Sequence, residues 1–182
     1  MLPLGSHAII CYDTGDEAVQ VFNSYLKGGL DRNEAVRVMA PSNNAYSDFL
    51  QRAGVDGKFL EGDGHLGFLS MAELFADKGE RPLKTDNAFQ LMKKLAQESR
   101  DAGFKGTRVI SRAEGHLEYS TPSALLRFER EIGRTFNFPI SLICAYDGHK
   151  LVELGFDELL LSLFQYHGTI IGKELAIENL DE

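Results

Sequence analysis

A short polar turn, CYDTGDEA (Cys11–Ala18), follows an apolar run and precedes a segment whose apolar residues recur at helical spacing. Turns between a strand and a helix often hold a phosphate, because backbone N–H groups converge at the start of the helix. A phosphate loop of the G-x-x-x-x-G-K-S/T type also needs glycines, a lysine and a hydroxyl group. This turn has one glycine, three carboxylates and no lysine before Lys27. We therefore expect Asp13 or Thr14 to cap the helix, without nucleotide binding.

Polar residues follow several predicted strands, where open parallel sheets usually bind ligands. Arg112 could clamp a carboxylate while Glu114 orients it, or the two residues could form an internal ion pair that fixes their loop. For Asp147 followed by Gly148 a simple turn is favoured over a site. The polar residues expected at this rim are Tyr12, Asp13, Ser42, Arg112, Glu114, His116, Tyr146 and Asp147.

The five histidines and two cysteines do not have the spacing of a metal site. C-x-x-C, H-x-x-x-H and H-E-x-x-H are all absent, so a zinc site would need residues from distant parts of the chain. We predict no metal and no cofactor. Cys11 and Cys144 lie in apolar runs and are expected to be buried thiols rather than a disulfide. His7 begins a strand and His167 ends a helix, and structural roles are favoured for both.

The elements that position these residues alternate between strand and helix. This pattern predicts an α/β fold with a mainly parallel central sheet of about five strands, flanked by helices. The predicted strands are 7–12, 35–40, 65–70, 107–111 and 139–146, with a small additional strand near 168–172. The predicted helices are 16–30, 43–54, 87–103, 123–136 and 156–167.

Length and composition favour one globular domain. The chain has 182 residues, of which 43% are hydrophobic and 25% charged, and its net charge of −8 disfavours direct nucleic-acid binding. No apolar run approaches the roughly 20 residues that span a bilayer, and the N-terminus lacks the features of a signal peptide. We expect a cytoplasmic protein without membrane contact, with a domain over 5–172 and a C-terminal tail over 173–182.

The order of several segments resembles the MEDS domain, a sensory domain named for methanogens, methylotrophs and the dichloromethane-responsive repressor. The segments are HAIICYDTGDE, YLKGGLDRNEAVRVMAP, GTRVISRAEGHLEY, FERE, LICAYD and FQYHG. The second is also similar to a region of KaiC- and RecA-type ATPases. The resemblance implies a RecA/KaiC-like three-layer sandwich without a functional P-loop.

The resemblance further implies a role in prokaryotic signal transduction, sensing a small organic compound. The family pattern marks His7, Arg112, Glu114, Tyr146, Asp147 and His167. Such domains are often joined to histidine kinases or DNA-binding regulators. Because neither module is recognised in the 182 residues, the domain would have to act alone or through a separate partner. We expect a separate kinase or transcription regulator, and a homo-oligomer is compatible with this role.

Our leading hypothesis is therefore a non-enzymatic, ligand-binding sensory domain. Two alternative hypotheses assign the protein to other functional classes. The first is a small enzyme that uses Arg112, Glu114 and His116 at the rim of the sheet. The second is an interaction module whose apolar helix FDELLLSLF (residues 156–164) docks a kinase or regulator.

Overall fold

The computed structural model describes residues 2–71, 85–113, 121–153, 155 and 157–172. Strands and helices alternate along most of this part of the chain, and a 3-10 helix (Asp157–Leu159) leads into the last helix. The strands are β1 (His7–Tyr12), β2 (Ala35–Ala40), β3 (Leu66–Ser70), β4 (Thr107–Arg112), β5 (Ile140–Asp147) and β6 (Thr169–Ile171). The helices are α1 (Gly15–Leu30), α2 (Asn43–Arg52), α3 (Gly57–Gly62), α4 (Thr85–Asp101), α5 (Pro122–Ile132), α6 (Gly148–Glu153) and α7 (Leu160–Tyr166).

The six strands form one sheet in the order β3-β2-β4-β5-β1-β6. Every pairing between them is parallel, and β1 sits between β5 and β6, with Ile9 opposite both Cys144 and Ile170. The predicted α/β fold is confirmed, and the small strand near residue 170 adds a sixth member at the edge. In the described ranges, no helix combines the length and apolarity needed to cross a bilayer.

Helices cover both faces of the sheet, as parallel strands require. Alternate residues of each strand point to opposite faces. On one face Ile10 packs with Phe22 of α1 and Phe49 of α2. On the other face Ile9 belongs to a cluster with Leu125 of α5, which also includes residues of α4, α6 and α7. The arrangement is consistent with a three-layer sandwich.

The chain leaves β1 and β5 toward opposite faces. After β1 it enters α1 on the first face, whereas after β5 it enters α6 and α7 on the second. Since β1 and β5 are neighbours, their carboxyl ends mark the point where open parallel sheets usually have a crevice. The rim predicted from the sequence lies at this end of the sheet.

Two short helices were not predicted. Asp147 Oδ1 accepts a hydrogen bond from the Lys150 backbone N–H at 3.1 Å, so the predicted turn is in fact the start of α6. The other helix, α3, lies in a stretch whose glycines indicated turns. Glu61 in α3 accepts a hydrogen bond from the hydroxyl of Tyr46 in α2 at 2.7 Å, a tertiary contact that local propensity cannot reveal.

A buried ion pair anchors the opposite end of α1. Arg108 of β4 and Glu34 are 0% and 4% exposed, and the Arg108 Nε–H donates to the Glu34 carboxylate. The guanidinium carbon lies 4.5 Å from the centre of the Tyr25 ring, and Nη2 donates to the Leu2 carbonyl at 3.1 Å. A Cβ at Gly29 would lie 2.7 Å from Arg108 Cδ, so this glycine makes room for the arginine.

Candidate functional site

A cleft of about 410 Å³ opens between α1 and α2, above the carboxyl ends of β1 and β4. Three aromatic rings, two guanidinium groups and one carboxylate contribute to its lining. The lining residues are Tyr12, Gly15, Ala18, Val19, Phe22, Ala45, Asp48, Phe49, Gln51, Arg52 and Arg112. Its size and mixed lining suit a small molecule with an apolar body and a polar end.

The turn below the cleft is built around a helix cap. Thr14 Oγ1 accepts from the Glu17 N–H at 3.3 Å, and Glu17 Oε2 accepts from the Asp13 N–H at 3.1 Å. Thr14 is the N-cap of α1 and satisfies one of the backbone donors in its first turn, while Glu17 binds the backbone of the residue that precedes the cap. The predicted cap is confirmed, and Thr14 is the residue that supplies it.

Arg52 crosses from α2 to the beginning of α1. Its Nη2 lies 2.9 Å from Asp16 Oδ1, and the two side chains are 52% and 91% exposed, so this surface ion pair adds little stability. A Cβ at Gly15 would lie 2.6 Å from the same Nη2. Gly15 therefore lets the guanidinium group lie against the turn.

We expect no micromolar binding of Mg-ATP at residues 12–17. The turn carries three carboxylates and no lysine, and Glu17 already binds the backbone N–H of Asp13. Isothermal titration of the protein with Mg-ATP checks this expectation. Micromolar binding that disappears in Gly15→Val or Thr14→Ala would contradict it, since both residues belong to this turn.

A second polar group of residues is buried beneath the opposite face of the sheet. His7 lies on β1, Cys144 and Tyr146 lie on β5, Glu129 projects from α5, and His167 follows α7. Each of the five is at most 3% exposed. We call these five residues the buried polar cluster.

Both imidazoles of the buried polar cluster are oriented by backbone carbonyls. His7 Nδ1 donates to the Gly133 carbonyl and His167 Nδ1 donates to the Leu163 carbonyl, each at 2.7 Å. Burial, followed by the nearby His167, lowers the pKa of His7 to about 3, so this ring is neutral at physiological pH. A neutral ring that carries its proton on Nδ1 presents a lone pair on Nε2. The His7 Nε2 atom faces the interior of the cluster.

Glu129 lies at the centre of the buried polar cluster. Its Oε1 accepts from the Tyr146 hydroxyl at 2.8 Å, and its Oε2 lies 3.5 Å from His7 Nε2 and 3.6 Å from His167 Nε2. Burial raises the pKa of Glu129 and raises that of the Cys144 thiol strongly. Cys144 Sγ lies 3.4 Å from His7 Nε2.

A family model matches residues 6–167, and its description is MEthanogen/methylotroph, DcmR Sensory domain, or MEDS. The chain belongs to the MEDS family. This finding confirms the resemblance seen in the sequence and identifies the chain as a sensory domain. The match runs from just before His7 to His167, so it includes both the cleft and the buried polar cluster.

No curated protein matches the MEDS chain at the threshold applied. Among solved structures, it is similar to an uncharacterized protein from Pyrococcus horikoshii that was crystallised with an unknown peptide. The TM-score is 0.65 with 17% sequence identity, and the alignment covers 91% of this chain and 76% of the other. At that identity the likeness shows a shared fold.

The residues predicted for one rim of this MEDS domain divide between two places. Tyr12 and Arg112 line the cleft, while Tyr146 joins the buried polar cluster with His7 and His167. Tyr12 and Tyr146 belong to the cores on opposite faces of the sheet, so they cannot cover one ligand together. Asp13 and Asp147 support helix starts, and Glu114 and His116 lie outside the described residues.

Sequence reasoning missed several members of both places. Phe22, Phe49 and Arg52 come from helix faces, and only the packing of α1 against α2 brings them to the cleft. Glu129 carried a usable signal, because it falls on the same helical face as the apolar residues Leu125 and Ile132. A carboxylate at such a position needs a buried partner, and this could have drawn attention to it.

Proposed function

We propose that this MEDS domain is a non-enzymatic sensor that binds a small, hydrocarbon-derived organic compound in the cleft between α1 and α2. The observation that carries the proposal is the combination of aromatic rings and guanidinium groups around one cleft at the strand ends. The family description supports a sensory role. The class of compound, small and hydrocarbon-derived, comes from the family resemblance, and the cleft lining suggests which chemical groups it carries.

The cleft favours an anionic or strongly polar group at one end of the compound. Arg112 can donate charge-assisted hydrogen bonds to a carboxylate, which the planar guanidinium group matches in geometry, whereas Arg52 already pairs with Asp16 at 2.9 Å and would share its donors with the ligand. Phe22 and Phe49 lie with their ring centres 5.5 Å apart and are 2% and 6% exposed, so they form an apolar floor that a ligand body would contact at its edge. An organic acid with a short hydrocarbon part fits both features.

Signalling from such a domain would pass through a separate histidine kinase or transcription regulator. Val152 of α6 and Leu161 of α7 are 60% and 73% exposed, and they offer apolar surface on the face opposite the cleft. Descent from a KaiC- or RecA-type ATPase with a lost nucleotide loop stays a prediction.

A thermal-shift screen of small organic acids, alcohols and nucleotides tests the proposal. We expect organic acids to raise the melting temperature, without conversion of the stabilising compound over extended incubation. Turnover would instead support the alternative enzyme that uses Arg112, Glu114 and His116. Absence of stabilisation by every compound class would contradict ligand binding in the cleft.

Arg112→Ala should weaken binding of a stabilising acid by about 10- to 100-fold, because a hydrogen bond to a charged group contributes about 1.5–3 kcal/mol. The unliganded variant should keep its fold. Arg127→Ala is a matched control, since Arg127 is an exposed arginine on α5, on the opposite face. Affinity is measured by calorimetric titration.

The internal ion-pair interpretation of Arg112 makes the opposite prediction. If Arg112 mainly fixes its loop, Arg112→Ala should melt much earlier, while the remaining folded protein binds the acid normally. That pair of results would remove Arg112 from the binding site.

A further inference from the structure

We propose that His7, Glu129, Cys144 and His167 of the buried polar cluster form a closed zinc site, separate from the cleft. The four residues come from β1, α5, β5 and the segment between α7 and β6. Their potential ligand atoms all lie within 4.8 Å of one another. The site therefore arises by the long-range convergence that the sequence spacing could not indicate.

The hydrogen-bonding pattern leaves buried polar atoms without partners at one point. Because Nδ1 of His7 and Nδ1 of His167 each donate to a carbonyl, the Nε2 atoms of both rings lie toward Glu129 Oε2, at 3.5 and 3.6 Å. Among the described residues, Glu129 Oε2 and His167 Nε2 have no hydrogen-bond partner. Buried polar atoms are normally satisfied. One cation would satisfy the imidazole nitrogens, the carboxylate oxygen and the cysteine sulfur together.

The distances are close to those of tetrahedral zinc. Zinc bonds of about 2.0–2.3 Å to nitrogen, oxygen and sulfur place neighbouring ligand atoms roughly 3.3–3.7 Å apart. The measured contacts are 3.4 Å from His7 Nε2 to Cys144 Sγ, 3.5 Å from His7 Nε2 to Glu129 Oε2 and 3.6 Å from His167 Nε2 to Glu129 Oε2. Small side-chain movements would bring the remaining pairs into the same range.

Charge and burial favour a dication at this position. A thiolate, a carboxylate and two neutral imidazoles together carry two negative charges, which Zn²⁺ neutralises. A neutral assembly avoids the cost of burying an unpaired charge. All four residues are at most 3% exposed, and four protein ligands would fill a tetrahedral shell, which is typical of structural rather than catalytic zinc.

The surrounding contacts resemble those that orient metal ligands elsewhere. Metal-binding histidines usually donate their second nitrogen to a carbonyl or carboxylate, and ligating carboxylates are themselves hydrogen-bonded. Here the carbonyls of Gly133 and Leu163 hold the two imidazoles. The Tyr146 hydroxyl holds Glu129 Oε1 and leaves Oε2 directed at the imidazoles.

Metal binding is tested on the full chain after removal of bound metal with a chelator. Because the ligands are buried, Zn²⁺ or Co²⁺ is supplied both to the native protein and during refolding from urea. We expect one zinc per chain and a higher melting temperature. Cobalt should give the intense visible bands of tetrahedral coordination and a thiolate-to-cobalt charge-transfer band.

Variants then identify the ligands. Cys144→Ser should abolish the charge-transfer band and weaken zinc binding by more than about 100-fold, since even an outer hydrogen-bond partner of a ligand contributes about 10- to 100-fold. Cys11→Ser is the matched control and should retain the spectrum. Tyr146→Phe keeps all four ligands and should weaken zinc binding by about 10- to 100-fold, which keeps the test decisive if Cys144→Ser fails to fold.

Failure of both native and refolded wild-type protein to bind zinc stoichiometrically would overturn the proposal. A cobalt spectrum without a thiolate band, or one that Cys11→Ser removes, would also overturn it. In those cases the buried polar cluster would be a metal-free network held by protons on Glu129 and Cys144. None of these outcomes bears on ligand binding in the cleft, which is measured independently.

Discussion

Arg108→Met should lower the free energy of unfolding by about 3–5 kcal/mol, which is the cost of removing one partner from a buried ion pair. Glu34 would keep a carboxylate that is only 4% exposed and would lose the Arg108 Nε–H, which leaves it with the longer bond from the half-buried Arg32 at 3.3 Å. The substitution also removes the guanidinium group from the Tyr25 ring and from the Leu2 carbonyl. Equilibrium unfolding in urea, followed by circular dichroism, measures the loss.

A double variant separates the ion pair from simple loss of packing. Replacing both partners, as in Glu34→Leu with Arg108→Met, should recover much of the stability, because well-packed apolar groups often substitute for a buried pair at little cost. Arg100→Met, at an exposed position on α4, should change stability only slightly. Equal losses in the single and double variants would show that the ion pair is not the cause.

The next large effect is expected for Gly168→Ala, which should destabilise the fold by about 1–3 kcal/mol or more. A Cβ at this position would lie 2.4 Å from the Arg134 carbonyl oxygen and 3.6 Å from the His7 carbonyl oxygen. Both are backbone atoms, so no side-chain rotation can relieve the contact. The Gly168 N–H also donates to the His7 carbonyl at 2.8 Å, and a shift of the glycine would lengthen that bond.

Gly62→Ala is the matched control for Gly168→Ala. Gly62 ends α3, and a Cβ there would meet nothing within 4 Å among the described residues. The control should therefore leave stability unchanged or raise it slightly, because alanine restricts the unfolded chain more than glycine does. If both variants have the same midpoint of thermal unfolding, then a Cβ at Gly168 does not clash with the Arg134 carbonyl oxygen as the structure predicts.

The sheet was predictable because its strands are short apolar runs bounded by polar and turn-forming residues. The range predicted for β1, residues 7–12, agrees with the structure, as does that for β2 at 35–40. The prediction was wrong in treating 57–62 and 148–153 as non-helical. Both segments begin with glycine, which indicated turns. In the structure Glu61 accepts a hydrogen bond from the Tyr46 hydroxyl, and Asp147 accepts one from the Lys150 backbone N–H at the start of α6.

The candidate sites were only partly predictable, for a geometrical reason. The ends of the strands can be located from the sequence. Tyr12 and Arg112, which were predicted at such ends, both line the cleft. The face that each side chain occupies depends on strand register, which sends Tyr146 away from Tyr12. The buried polar cluster joins residues as far apart as His7 and His167, and no local spacing marks such a pair.

The position of β1 within the sheet has a consequence for how the protein is made. β1 leaves the ribosome before the other described strands, yet its neighbours in the described sheet are β5, which ends at Asp147, and β6. Until β5 has been translated, the apolar strand His7–Tyr12 lacks its partners in this sheet and is open to chaperones or to other nascent chains. Such distant pairing slows folding. Completion of this sheet, together with the buried polar cluster beneath it, is therefore expected to be a late step in folding.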